Sequence, residues 1–433
     1  MKILGITAEY NPFHNGHAYH IAQARESIKP DCVAVCMSGS FTQRGSMAIL
    51  DKWTRAALAL DHADDSSKQS AYAGADLVVE LPFVFACNRA PVFARGGVDT
   101  LVSLGATHIS FGCEAEDPQE LIQMAELLRL SAEAISQQTA EAMKEGISHA
   151  KAYERAVASV AGDGAAKLLQ TPNNILAVEY LQRILHWREK GVNLEPVPVR
   201  RMGSGYTEMN PSAGVAGASA IRRLIMEQPG KLTLASDREK ETGIASFVPQ
   251  IVYNQLPDGE RLLSAERKYF ELVRAELVRR SPEELARIYS IGEGIENRFR
   301  KAASRNDSLD ALIEDVTSRR YTSAAVHRML TYILLGLDGE RADACIADNG
   351  NACRYLRLLA VNERGRRCIR ACKEKEIPFL TNVNKEAETL NGPAADMLAL
   401  DMLAADMWNI LFGRDMYGNS DKVVRPAIEK AFP

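Results

Sequence analysis

Gly5-Ile6-Thr7-Ala8-Glu9-Tyr10-Asn11-Pro12-Phe13-His14-Asn15-Gly16-His17 decides how the rest of the 433-residue chain is read. An apolar run from Ile3 to Ile6 breaks into a turn-rich loop. The loop closes on His-x-Gly-His, and a helical spacing of apolar residues (Ala18, Ile21, Ala22) begins at once. Strand, loop and helix in that order aim unpaired backbone N–H groups and two imidazoles at one point. The helix dipole favours an anion there, and imidazole N–H groups can donate to phosphate oxygens as charge builds. Two surface histidines around a turn glycine are the plain alternative for the motif alone. Its place directly after the first strand favours the phosphate reading. Helical metal-binding histidines sit better at i and i+4, and no Cys or carboxylate ligand set lies nearby, so no metal site is expected.

In that setting the motif resembles the signature of HIGH-type nucleotidyltransferases. The resemblance implies a Rossmann-like domain that binds ATP and directs attack at its α-phosphate. Composition is that of an ordinary globular chain: 25% of residues are charged, 46% are hydrophobic, and the length suits two or three domains. No apolar stretch approaches the roughly 18 residues of a membrane span, and the N-terminus lacks a basic segment followed by an apolar one. A cytoplasmic protein with no membrane partner is expected. The eight cysteines form no Cys-x-x-Cys pair, which fits a reduced protein. A net charge of −4 does not advertise nucleic acid, so an RNA site has to be a local basic patch.

The fold class expected is α/β. Apolar runs at 3–6, 32–37, 77–81 and 108–111 read as strands, and helical patterns fall between them at 18–27, 52–60 and 93–104. Alternating strands and helices imply a parallel sheet with crossover helices, and in such sheets ligands sit at the carboxyl ends of the strands. The loops after the strands are therefore the ones to read. Ser38-Gly39-Ser40-Phe41-Thr42-Gln43-Arg44-Gly45, followed by Lys52-Trp53-Thr54-Arg55, is either a flexible connector or a substrate loop. As a substrate loop it brings Gln43, Arg44, Lys52 or Arg55 to an anion. Gly112, after the fourth strand, lets backbone approach a ligand or simply turns.

Further along, Thr171-Pro172-Asn173-Asn174 leads into a helix, with Asn173 or Asn174 as an N-cap or as a reader of base or ribose. A last strand from Val197 runs through Arg200 and Arg201 into a Gly-rich stretch after Met202. Gly217-Ala218-Ser219-Ala220-Ile221-Arg222 then opens another helix, where Ser219 can cap and Arg222 can reach an anion. The resemblance gives this Ser-x-Ile-Arg element a role: it closes over the triphosphate.

The run Ala8 to His17 goes with Met37-Ser38-Gly39-x-Phe41-x-Gln43-Arg44-Gly45, Asp76-Leu77-Val78-Val79-Glu80-Leu81-Pro82, Phe93-Ala94-Arg95-Gly96, Phe111-Gly112-x-Glu114 and Pro172-Asn173-Asn174-Ile175-Leu176. Together these resemble the tRNA(Met) cytidine acetate ligase family along most of the first ~235 residues. The resemblance implies that ATP and acetate give acetyl-AMP. The acetyl group then passes to N4 of the wobble cytidine of elongator tRNA(Met), giving N4-acetylcytidine. It also implies that ATP contacts Thr7, Ala8, Glu9, Tyr10, Asn11, Pro12, Phe13, His14, Asn15, Gly16, His17, Ala18, Tyr19, His20, Gly112, Asn173, Arg201 and Met202. His14, His17, Ser219 and Arg222 are the catalytic candidates. Residues 62–71 read as a polar insert, a surface loop.

The chemistry asks for no side-chain nucleophile, only positioning and charge stabilisation. Mg²⁺ held by the phosphates would offset their charge. The acceptor cytidine must leave its stack. Glu9 is a general-base candidate by proximity only and equally a structural acid, the reading preferred here.

The second half changes character near Gln228-Pro229-Gly230, which divides a catalytic part, 1–236, from a mainly helical part, 237–433. Basic residues cluster there: Arg298, Arg300, Lys301, Arg319, Arg320 and Tyr321 are the tRNA-binding candidates, with Tyr321 able to stack on an unpaired base. Two other readings stand beside this one: a nucleotidyltransferase that adenylylates a small molecule, and a non-catalytic RNA-binding adaptor.

Overall fold

The computed structural model describes residues 1–60, 73–147, 149–162, 167–201, 209–210, 215–227, 243–372 and 377–428. Both the insert at 62–71 and Met202 lie outside these residues. Five parallel strands form the centre of the main sheet: β1 (Ile3–Ala8), β2 (Cys32–Ser38), β3 (Leu77–Leu81), β4 (His108–Cys113) and β5 (Glu195–Arg200). They lie in the order β3-β2-β1-β4-β5. The chain steps outward from β1 to β3, then returns to lay β4 on β1's other side. The crevice where the order reverses opens at the carboxyl ends of β1 and β4, which is where open α/β sheets bind ligands.

The strand residues explain why the sheet is covered on both faces. β2, Cys-Val-Ala-Val-Cys-Met-Ser, is buried throughout. Its Val33, Val35 and Met37 enter one apolar core, and Cys32, Ala34 and Cys36 enter the other, as the two-residue period of a strand demands. Behind the second face, the helices Ala90–Ser103 and Pro172–Glu189 are joined through buried Asp99. Asp99 accepts a bidentate pair from Arg183 (2.7 and 2.6 Å) and a bond from Trp187 Nε1 at 2.7 Å.

The second half is mainly helical, with helices Gly259–Arg279, Ile295–Arg305, Leu309–Val316, Ser323–Leu335 and Gly392–Leu411. It also supplies strands that the sequence reading did not foresee. A short hairpin of β6 (Met209–Asn210) and β7 (Val215–Ala216) precedes it. β8 (Leu356–Val361) then adds antiparallel to β3, and β9 (Phe379–Leu380) and β10 (Ala427–Ile428) pair with β8. Residues on both sides of 236 share one core, in which Leu4 and Met37 belong to the same cluster as Phe270, Leu330 and Trp408.

A buried charge cluster sits on this junction. Lys52 Nζ lies 2.8 Å from Glu80 and 2.7 Å from Asp421, and Arg357 is 3.0 Å from each of the same carboxylates. All four side chains are at most 2% exposed. Arg55 is buried as well: its guanidinium donates to the carbonyls of Leu50 (3.0 Å), Glu9 (2.6 Å) and Gly39. The expectation that Lys52 or Arg55 reaches an anion is therefore corrected. Both are committed to buried partners, and Arg55 ties the ends of β1 and β2 together.

Candidate active site

The first helix, Asn15–Ile28, starts earlier than the apolar spacing suggested. His14 is its N-cap and His17 lies at the third helical position. The two histidines make a reciprocal capping box. His14 Nδ1 accepts the Gly16 N–H at 3.1 Å, and His17 Nδ1 accepts the His14 N–H at 3.2 Å. Their rings stack with centroids 3.7 Å apart. Because each Nδ1 is an acceptor, each neutral ring carries its proton on Nε2. Burial, with the nearby charges of Arg201 and Arg222, pushes His14 down to about 3. Burial and His14 hold His17 well below its usual range. Both are neutral donors at pH 7.

Around them lies a cavity walled by Thr7, Ala8, Glu9, Tyr10, Asn11, His14, Gly16, His17, Tyr19, His20, Gly112, Asn173, Arg201 and Ser219. Three helices start at this cavity. Besides Asn15–Ile28, Pro172–Glu189 brings Pro172 and Asn173, and Ala218–Glu227 brings Ala218 and Ser219. Three helix N-termini bring the positive ends of their dipoles to one place and favour negative charge there. Arg44, Arg200 and Arg201, all exposed, add full positive charges at the mouth.

Most of the residues named from sequence are brought together here, and the exceptions have physical reasons. Phe13 is a core side chain, 1% exposed. Asn15 turns away to donate to Ser246 O at 2.9 Å. Pro12 and Ala18 do not line the cavity. Arg222 stands behind the wall rather than in it: Nη1 donates to Asn11 O at 2.7 Å and Nη2 to Ser219 Oγ at 3.1 Å. Ser219 lies inside its helix, so it does not act as the N-cap.

The neighbouring asparagines divide their tasks. Neither is an N-cap, since Thr171 holds that position. Asn174 is buried, and its Oδ1 accepts the N–H groups of Glu114 (2.8 Å) and Ala115 (3.3 Å), fixing the loop after β4. Asn173 faces the cavity. Its Oδ1 accepts from Arg201 Nη1 at 2.9 Å and its Nδ2 donates to Glu114. His20 Nε2 lies 2.8 Å from Ser110 Oγ, which itself donates to Val197 O at 2.9 Å, so His20 is the donor. Burial and Arg201 lower His20 to about 4.

Sequence reasoning assigned no role to an apolar floor of Phe93, Phe111, Leu176 and Tyr180. A visible signal existed: Phe111 lies toward the carboxyl end of β4, and Leu176 and Tyr180 sit at i and i+4 on the helix Pro172–Glu189. Glu9 Oε1 accepts the Gln43 N–H at 2.7 Å, which makes it the tether of the loop after β2. That loop is a rigid hairpin rather than a flexible connector. Phe41 and Met47 bridge antiparallel, Gly45 N bonds Thr42 O at 2.9 Å, and Thr42 N bonds Ser46 O at 2.9 Å. Gln43 and Arg44 occupy its tip.

The tRNA-binding candidates all lie on the second half. Arg300, Lys301 and Arg319 are exposed. Arg298 donates to the carbonyls of Asp315 (3.1 and 2.5 Å) and Thr317 (3.1 Å) at the end of the helix Leu309–Val316. Arg320 pairs with Glu293 and lies 5.6 Å over the Tyr321 ring.

Among the described residues no helix is long and apolar enough to cross a membrane, and no group of three or more His, Cys, Asp or Glu side chains forms a metal site.

The chain matches the family described as HIGH Nucleotidyl Transferase over residues 1–422. A tRNA(Met) cytidine acetate ligase of Thermoanaerobacter sp. (strain X514) is 35% identical over 432 residues, 99% of this chain and 100% of that protein. Its counterpart in Caldicellulosiruptor saccharolyticus is 35% identical over 386 residues, 89% and 88% of the two chains. Two crystal structures of Thermotoga maritima TmcAL, one apo and one bound with alpha-thio ATP, cover 100% of both chains at 27% identity. Their TM-scores are 0.83 and 0.82.

Proposed function

Because this chain belongs to the HIGH nucleotidyl transferases, and within them to the tRNA(Met) cytidine acetate ligases, we propose how its own residues carry that reaction. The chain is an ATP-dependent acetate ligase. An acetate oxygen attacks the α-phosphorus of ATP, the bond to the β-phosphate oxygen breaks, and pyrophosphate leaves. The N4 amine of cytidine then attacks the acetyl carbonyl, AMP departs with the electron pair, and N4 loses a proton.

One observation carries the assignment: two neutral histidines locked as Nε2–H donors at a helix start, in a cavity that three helix N-termini face. In this reading His14 and His17 donate to phosphate oxygens as charge moves toward the leaving pyrophosphate. Fixed donors at such a point need no reorganisation during the step. Ser219 adds a hydroxyl, and Arg222 holds Ser219 and the Asn11 carbonyl in place. Arg201, oriented by Asn173, meets the nucleotide from the β5 side. Glu9 holds the hairpin tip rather than moving a proton.

Mg²⁺ is assigned to the triphosphate. The two acids of the cavity, Glu9 and Glu114, each have a protein partner, and the described residues form no cage. The triphosphate oxygens and water would hold the ion, which would offset the phosphate charge. Residues 1–236 are proposed as the nucleotide-using lobe and 237–433 as the tRNA-binding lobe of one continuous body. The partners are ATP, acetate and elongator tRNA(Met), and the setting is the cytoplasm.

The test is acetate-dependent exchange of labelled pyrophosphate into ATP without tRNA. Exchange that needs acetate supports the acetyl-adenylate. ATP turnover indifferent to acetate would remove it.

A further inference from the structure

The hairpin 41–47 carries two cavity residues and is gripped from the second half of the chain. Gly45 has φ +89°, and a Cβ there would lie 2.6 Å from Arg328 N and 2.7 Å from His327 C. Only glycine combines that backbone with that contact. Thr331 Oγ1 donates to Gly45 O at 2.6 Å, and Tyr269 OH lies 2.8 Å from Thr331 Oγ1. Trp408 Nε1 donates to Ala48 O at 2.7 Å just beyond the hairpin. Gln43 and Arg44 are thus set by the helix Ser323–Leu335 as firmly as by their own strand.

That helix begins where the basic turn ends. Thr322 is its N-cap, and Tyr321 N bonds Ser318 Oγ at 3.2 Å. At 1.5 Å per residue, Tyr321 stands roughly 10 Å along the axis from Arg328, which touches Gly45. Arg319, Arg320 and Arg328 therefore lead toward Arg44, the exposed cation on the β2 side of the cavity. Gly112 and Arg201, the nucleotide residues, come from β4 and β5 on the other side of β1.

We propose that the hairpin tip is the RNA-facing wall of the cavity. Arg44 meets backbone phosphate beside the flipped cytidine, and Thr331 and Gly45 are positioning residues that hold Arg44 there. This rests on the ligase reading above. A fixed cation at the mouth, continuous with a basic turn that carries an aromatic ring, suits a single-stranded loop drawn toward a pocket.

The experiment compares the full chain with Arg44→Gln and Thr331→Val in two assays: pyrophosphate exchange with acetate, and acetyl transfer to tRNA(Met) across a salt series. Thr331→Val removes one hydroxyl and keeps the side-chain shape, which guards against an Arg44 variant that fails to fold. In Thr331→Val exchange is expected to stay within about twofold, and in Arg44→Gln transfer to tRNA is expected to fall further than exchange does. KM for tRNA is expected to rise roughly tenfold in Arg44→Gln, with a salt slope lower by about one. In Thr331→Val, KM for tRNA should rise while the maximal rate is kept. Exchange falling in step with transfer would assign the hairpin to the ATP and acetate site and overturn the proposal. Unchanged KM and salt slope would also overturn it. Neither exchange nor transfer in the unaltered chain would instead remove the ligase reading itself.

Discussion

His14 and His17 cap one another. The ring nitrogen of His17 accepts the backbone N–H of His14, His14 caps the first turn, and the rings stack at 3.7 Å. The same atoms that start the helix fix which nitrogen of each ring bears the proton. Structure and chemistry are separable here by substitution. His14→Asn keeps a good N-cap, whereas His14→Ala removes it at a cost of about 1 kcal/mol. Both lose the Nε2–H donor, so both should lose pyrophosphate exchange by roughly 10²–10³-fold. Urea melts and exchange rates on the pair check this. Near-normal exchange in His14→Asn would make His14 a cap only.

The depressed histidines predict a pH response with a definite sign. His14 stays neutral down to about 3 and His20 to about 4 in the folded chain, while unfolded histidine titrates near 6.5. Below pH ~6.5 the unfolded chain therefore binds more protons, and stability falls as pH drops. The slope is at most about 1.4 kcal/mol per pH unit for each ring. Stability contributed by these groups is fully present above 6.5. Adenylation should show no histidine limb: kcat/KM for ATP, which reports the free enzyme, stays flat from pH 8 to about 5. A limb near 6.5 that disappears in His14→Asn would contradict it.

Lys52 offers a contrast with a true anion ligand. It is 1% exposed and bonded to Glu80 and Asp421. Lys52→Met leaves one cation facing two buried carboxylates, and breaking such a cluster costs about 3–5 kcal/mol. The expected outcome is a large drop in melting temperature with an unchanged KM for ATP below the transition. A raised KM at full stability would return Lys52 to the site.

The adjacent amides should separate in the same way. Asn173→Ala frees Arg201 from its orienting partner and removes a cavity amide, so KM for ATP should rise about ten- to a hundredfold, as for hydrogen bonds to charged groups. Asn174→Ala orphans the N–H groups of Glu114 and Ala115 and should cost about 1–3 kcal/mol of stability instead. Melting curves and ATP saturation on both variants decide the division.

Much of this was legible because it is local. The strand at Leu77–Leu81 matches its apolar run, and β2 reads as covered on both faces because no polar residue interrupts it. The His14–His17 element was found from spacing alone, but its capping box was not. A His-x-x-His pattern does with ring nitrogens what Ser-x-x-Glu does with oxygens. β8 was missed because Leu356-Arg357-Leu358-Leu359-Ala360-Val361 is too short a run to tell strand from buried helix, and its partner β3 is remote in sequence. Lys52 and Arg55 misled for the same reason: their partners Asp421, Glu80 and the Gly39 carbonyl meet them only in the folded chain.

The most direct test of the ligase assignment follows carbon from acetate. The purified chain is incubated with labelled acetate, ATP and elongator tRNA(Met), and the tRNA is digested to nucleosides. The expected result is label in N4-acetylcytidine that requires ATP and is lost in His17→Ala. Consumption of ATP and acetate with no label in any nucleoside would contradict the cytidine acceptor.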